Sequence, residues 1–251
     1  MPELKDLIAG HVASAIRSTN VDAVPFQHLE LQGVFPPDFY REMLENLPET
    51  RQYGELQHAD ARLPNGRSAR RKLELRAPRL RHLPARQREI WTAVSCALLS
   101  EEVRAAYCEK FATALDARFQ GPHRAIKLHP AAMLLRDLGG YKISIHTDSP
   151  RKAITTQYYL PKSDSQTNLG TTFHSKMDGG FQEVRRMDFA PNTGYAFPVT
   201  ADSWHGVGQM RDSDGERNTI MLIYYIDQGI VGELVNRAKQ FAQDLLALAG
   251  K

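Results

Sequence analysis

Four residues of this chain have the types and the order to hold a metal ion with an anion beside it: His146, Asp148, His205 and Arg217. His146-Thr147-Asp148 closes the alternating run YKISIHTD. In an extended chain, residues two apart point to the same side, so the imidazole and the carboxylate can converge on one point. With a distant histidine they make a facial triad, which leaves three positions of an octahedral iron open for chemistry. His58-Ala59-Asp60 has the same spacing. It lies in a polar stretch without period, whereas His146 follows a strand-like run introduced by Gly139-Gly140, so context favours the 146/148 pair.

The third ligand should come from a later strand. SWHGVGQ offers His205, and His174 in GTTFHS competes with it. Support for His205 comes from Arg217, which opens the run RNTIMLIYY with Arg217, Thr219, Met221 and Ile223 on one face. A guanidinium among apolar neighbours is costly unless a carboxylate meets it, and its planar fork suits bidentate pairing. The competing reading is an arginine at a strand start that reaches solvent beside Asp212–Glu216.

These residues need elements to hold them. The chain has 251 residues, 42% hydrophobic and 24% charged, which is the balance of an ordinary globular protein with one integrated domain. The first half reads as helical. Leu4, Leu7, Ile8, Val12 and Ile16 fall on one face of an opening helix, and acidic residues among them exclude a signal peptide. FQHLELQ (26–32) alternates like a short strand, and Pro36-Pro37-Asp38 starts a helix that ends near Pro48. Residues 49–83 have no clean period and carry many arginines. Helices are predicted over 84–99 and 100–119, the second started by Ser100 and Glu101-Glu102.

Beyond Gly121-Pro122 come eight short β-type runs separated by turn material such as Asp178-Gly179-Gly180 and Pro191-Asn192. That pattern predicts a mainly β core, a jelly roll or related barrel, behind a helical N-terminal half. The expected divisions are a helical support region with an Arg-rich loop (1–120), the β core (121–228) and a terminal helix (229–251, with its apolar face over 231–249). Cys96 and Cys108 lack metal-knuckle spacing and read as plain thiols of a reducing compartment. No apolar run reaches membrane-spanning length, and a cytoplasmic location is expected. A net charge of +3 is too small to argue for a nucleic-acid partner.

Taken together, His146-x-Asp148, then ITTQYYLP, then Trp204-His205-Gly206-Val207, then Arg217-x-Thr219 resemble the 2-oxoglutarate and iron(II)-dependent dioxygenases, in particular the prolyl-hydroxylase branch. FPPDFYREMLENLP is similar to an N-terminal helix that many members carry. The resemblance covers about residues 130–226. It implies a double-stranded β-helix, cupin-like and flanked by α-helices, that holds iron by His146, Asp148 and His205. It implies Arg217 for the distal carboxylate of 2-oxoglutarate, with Tyr159 and Thr219 beside it. Oxygen is then the second cosubstrate, ascorbate the reductant in vitro, and succinate and carbon dioxide the products. The related halogenases replace the carboxylate ligand with a small residue; Asp148 is present here, so the resemblance implies hydroxylation, with desaturation as the alternative.

A small metabolite or amino-acid-like molecule is expected as substrate, because no appended protein- or nucleic-acid-binding domain is visible. Protein or peptide hydroxylation is the alternative, and a non-catalytic cupin-like metal-binding module is a third. The Arg-rich segment 62–88 reads either as a solvated loop or as a lid that attracts an anion. Arg136, Arg151 and Lys152 are the candidate substrate contacts.

Overall fold

The computed structural model describes residues 2–56 and 59–227. The terminal helix expected over 231–249 and the competing ligand His58 lie outside the described residues. The helices are α1 (Pro2–Ser18), α2 (Pro37–Glu45), α3 (Ala77–Leu80), α4 (Ala85–Leu98), α5 (Glu101–Lys110) and α6 (Ala112–Phe119). The strands are β1 (Leu29–Gln32), β2 (Gly54–Glu55), β3 (Arg70–Glu74), β4 (Leu128–Asp137), β5 (Ile143–His146), β6 (Lys152–Tyr159), β7 (Thr172–Met177), β8 (Gly180–Arg186), β9 (Thr193–Pro198), β10 (Trp204–Val207) and β11 (Arg217–Ile226). All eight expected C-terminal strands form. The helix expected over 100–119 is broken at Phe111, and its start is capped as predicted: the Ser100 hydroxyl accepts from the Val103 amide.

Two antiparallel sheets carry the fold, a seven-stranded one in the order β1-β9-β6-β11-β4-β3-β2 and a four-stranded one in the order β5-β10-β7-β8. This is the expected jelly roll flanked by helices. Period-two alternation divides the large sheet cleanly. Leu134, Ile154, Tyr158, Ile220, Leu222 and Tyr224 face outwards and share a core with Ile8, Val12, Trp91 and Val94 of the helices. Of the apolar face predicted for α1, Leu7 turns to solvent instead, with 61% of its surface exposed. On the inner side Tyr159, Tyr195 and Phe197 meet Phe173 and Val207 of the small sheet in a second, aromatic core.

Two expectations change. The segment 49–83 is not a long loop: Arg70–Glu74 pairs antiparallel with Met133–Asp137, so β3 extends the large sheet. Three of its cations are held in ion pairs within the fold. Arg71 pairs with Glu55, while Lys72 and Arg76 both pair with Glu74. Nor does the sheet respect a boundary at residue 120, since β1, β2 and β3 of the N-terminal region hydrogen-bond to β9, to each other and to β4.

Candidate metal centre

The small sheet brings the two histidines together. β5 and β10 run antiparallel with His146 and His205 as direct partners, and their ring centroids lie 4.4 Å apart. Asp148 follows β5 by two residues. One ligand atom from each of His146, Asp148 and His205 lies within 4.8 Å of the other two, the one such group among the described residues.

Both imidazoles are oriented in the same way. His146 Nδ1 is 2.9 Å from the Ser144 carbonyl, and His205 Nδ1 is 2.9 Å from the Ser203 carbonyl. A carbonyl only accepts, so each Nδ1 carries the proton and each Nε2 keeps its lone pair for a metal. Burial pushes the His205 pKa down to about 4, against which the Asp148 charge works only in part. At neutral pH that ring is therefore a neutral donor. Burial opposes ionisation of Asp148, but the Lys152 ammonium, His205 and two hydrogen bonds outweigh it and hold the carboxyl below its ordinary range. Lys152 Nζ donates to Oδ1 at 2.5 Å, and Thr155 Oγ1 donates to Oδ2 at 2.6 Å. Two imidazoles that turn Nε2 to the cluster and one carboxylate suit a divalent transition metal.

The second half of the site lies further along the inner face of the large sheet. Arg217 is fully buried. Its Nε donates to the Leu169 carbonyl (2.7 Å) and one terminal nitrogen to Asp137 Oδ2 (2.8 Å). The other terminal nitrogen reaches Gln157 Oε1 and Thr171 Oγ1, both at 3.3 Å. The carboxylate that meets this arginine is thus one of the chain's own, from β4. Asp137 is shared, because Arg70 Nε lies 2.9 Å from its other oxygen. Burial disfavours the Arg217 charge, and Asp137 together with Tyr159, Tyr141 and Tyr195 more than restores it.

Tyr159 and Thr219 face each other in the β6–β11 register, with Arg217 two residues from Thr219 on the same face. The Tyr159 hydroxyl accepts from the Thr171 amide (2.9 Å) and Thr219 Oγ1 accepts from Gln157 (3.0 Å), which leaves both hydroxyl protons free to donate.

The other predicted site residues separate. Arg151 is exposed in the loop after Asp148, and Lys152 is bonded to that carboxylate. Arg136 lies on the opposite face of β4 from Asp137. There it donates to Asn218 and Thr50 and lies over the Tyr53 ring, away from the metal cluster. His174 pairs across from Trp204, not His205, and its Nε2 is bonded to Thr172. Of the competing pair, Asp60 accepts from the Ser144 amide and so braces the strand that carries His146.

Several contributors had no signal of their own in the sequence. Thr155 and Gln157 could have been found by extending the inner-face alternation back from Tyr159. Asp137 and Arg70 needed the β3–β4–β11 register. A cleft of about 570 Å³ opens beside Asp148, between Ala114, Ala117 and Arg118 of α6 and the loops at Thr147–Pro150 and Val199–Ala201.

No protein-family model matches the sequence, and no curated protein matches it. Among solved structures, the chain is similar to a prolyl hydroxylase from Trichoplax adhaerens, in complex with a hypoxia inducible factor oxygen degradation domain peptide fragment. The TM-score is 0.51 at 14% identity, over 89% of this chain and 91% of that one. A prolyl-4-hydroxylase from Pseudomonas putida gives a TM-score of 0.44 at 12% identity, over 87% and 98% of the two chains. The alpha ketoglutarate dependent epimerase SnoN from nogalamycin biosynthesis gives 0.48 at 12% identity, over 88% and 86%. What the chain shares with the first of these is the fold: a double-stranded β-helix, in which His146, Asp148 and His205 meet on the small sheet.

Proposed function

We propose that the chain is a non-haem iron(II) oxygenase that uses 2-oxoglutarate and oxygen to hydroxylate a small metabolite or amino-acid-like substrate, with release of succinate and carbon dioxide. The observation that carries this reading is the convergence of His146, Asp148 and His205 with both Nδ1 protons turned away to backbone carbonyls. Bound iron(II), with its cosubstrates, supplies the oxidising power. The chain's own residues do the holding and the orienting. Ser144 and Ser203 fix the ring tautomers, while Lys152 and Thr155 keep Asp148 ionised and aimed.

Arg217, Tyr159 and Thr219 are assigned to the far carboxylate of 2-oxoglutarate. Four contacts within the protein engage the Arg217 fork, which would meet the carboxylate chiefly as a charge. The hydroxyl protons of Tyr159 and Thr219 supply the donors. Charge favours the same end: Arg70, Asp137 and Arg217 put two guanidinium groups on one carboxylate, an excess of one positive charge that an anion would neutralise. Lys152 and Arg151 stand beside Asp148 and are assigned to an acidic group of the substrate. A peptide substrate is the second reading. In its favour, β8 ends the small sheet that carries both histidines and is exposed along its length, with Phe181 and Val184 on it.

The test is oxygen consumption and succinate formation with iron(II), ascorbate and 2-oxoglutarate, with and without a panel of amino acids, acidic metabolites and peptides. Iron-dependent succinate should vanish in His205→Ala. In Arg217→Ala it should fall chiefly through weaker 2-oxoglutarate binding. If wild type gives no turnover with any candidate, and calorimetry detects no iron-dependent binding of 2-oxoglutarate, the reading fails and a metal-binding module takes its place.

A further inference from the structure

The mechanism above makes no use of Arg118, the last basic residue of α6. Its guanidinium has no acidic partner among the described residues. Instead it donates to three backbone carbonyls: Pro150 (2.6 Å), Lys152 (2.8 Å) and Val199 (2.5 Å). Burial lowers its pKa, with no carboxylate to offset the effect. A charge held this way serves to order backbone, since each charge-assisted bond to a carbonyl fixes that peptide plane.

The three carbonyls belong to two loops, and each loop delivers one proposed metal ligand. Pro150 and Lys152 lie in the turn that begins at Asp148, where the Lys152 amide closes back on the Ser149 carbonyl. Val199 opens the turn that leads to His205. Within it, Ser203 Oγ donates to the Thr200 carbonyl and accepts from the Thr200 amide, and the Ser203 carbonyl then holds His205 Nδ1. One terminal nitrogen therefore bridges the two loops, from the Lys152 carbonyl to the Val199 carbonyl, while the other holds Pro150 in the turn that begins at Asp148. The β6–β9 ladder joins the same loops only as far as the Val199 amide on the Ala153 carbonyl. Outward of that rung, Arg118 links the two loops.

We propose that Arg118 is a positioning residue that clamps these two loops at a fixed separation and so sets the affinity of the metal centre. This rests on the metal-centre reading above. Arg118 also lines the cleft beside Asp148, with three of its five N–H groups turned to these carbonyls.

The test uses the full chain with Co(II) and Mn(II) as probes. Arg118→Ala should weaken metal binding by about tenfold or more, the size of effect seen when residues behind metal ligands are removed. The visible Co(II) spectrum at saturation should also change, while the metal-free melting temperature moves by only a few degrees. Arg118→Lys keeps the charge but not the planar fork, and should fall between wild type and alanine. Metal affinity and Co(II) spectrum equal to wild type in both variants would overturn the proposal. Hydrogen exchange on the wild type is independent of how well the variants fold. Mn(II) should raise protection in 148–153 and 199–205 together, and a change in one segment alone would overturn the clamp. If wild type binds neither ion, the metal-centre reading itself has failed; if it binds them and the variants bind equally, only the clamp has.

Discussion

The two faces of the seven-stranded sheet are made by the same strands and do opposite work. The outer face of β6 and β11 presents Ile154, Tyr158, Ile220, Leu222 and Tyr224 to the helices, an apolar surface that stabilises by leaving water. The inner face of those strands presents Thr155, Gln157, Tyr159, Arg217 and Thr219, buried to a similar degree but polar. Burying such groups costs free energy unless each finds a partner. Here the partners are mostly one another: Gln157 with Thr219, Tyr195 and Arg217; Arg217 with Asp137; Thr155 with Asp148. The lesson is that one face specifies that the chain folds, and the other what the fold can bind.

The sharpest way to break this contrast is at Asp137. It is fully buried between two guanidinium groups, so Asp137→Ala leaves both charges without their carboxylate. Removal of one partner from a buried ion pair costs about 3–5 kcal/mol, and denaturant unfolding should show a loss of that size. Adding Arg217→Met should recover part of it, because the stranded charge is then gone. If Asp137→Ala alone is no less stable than wild type, the inner face is not held together by these charges.

On the outer face the corresponding experiment is Leu222→Ala. A fully buried leucine cut to alanine costs about 2–5 kcal/mol through lost burial and the cavity left behind. The contrast requires that the folded fraction still bind Mn(II) with unchanged affinity. A shift in affinity that tracks the lost stability would mean the two faces are coupled.

Thr155→Val gives a smaller effect of the opposite kind. It keeps the shape of the side chain and removes the hydroxyl that donates to Asp148 Oδ2. Metal affinity should fall by roughly tenfold, at the lower end of what such outer partners contribute, with global stability changed by no more than about 1.5 kcal/mol. Unchanged Mn(II) affinity by calorimetry would remove Thr155 from the site.

How far the sequence disclosed all this follows from the same alternation. The inner face of β11 could be read directly, since Arg217 and Thr219 are two apart at the start of a strand with clear turn signals before it. The His146–Asp148 pair was legible for the same reason. Asp137 was not, because its meaning depends on facing Arg217 across the β4–β11 ladder, a contact between segments far apart in sequence. The Arg-rich segment misled for a related reason. Strand β3 has charged residues at Arg70, Arg71, Lys72 and Glu74, so no hydrophobic period marks it; its partners Asp137 and Glu55 come from other segments. In the sequence Arg136 reads as a lining residue because adjacent residues of a strand cannot be assigned to a face until one is fixed. Once Asp137 is known to point inwards, Arg136 must point out.

The four-stranded sheet offers the mildest test of the same division. His205 and Phe173 are partners on its inner side, while Trp204 and His174 are partners on the other. Burial lowers the His174 pKa, with Glu183 opposing the shift and Arg186 adding to it. The folded protein therefore resists a proton that the unfolded chain accepts near its ordinary pKa of about 6.5. The unfolded state binds more protons between that value and the lower folded pKa, so stability is fully present above about pH 6.5 and declines as the pH falls through this window. His174→Gln removes the titrating group and should flatten that part of the stability–pH curve, leaving Mn(II) affinity at neutral pH as it was. An unchanged acid slope would mean that His174 is as free to ionise in the fold as outside it. A loss of metal affinity would instead put His174 back among the ligands, and the inner and outer sides of the small sheet would no longer be distinct in function.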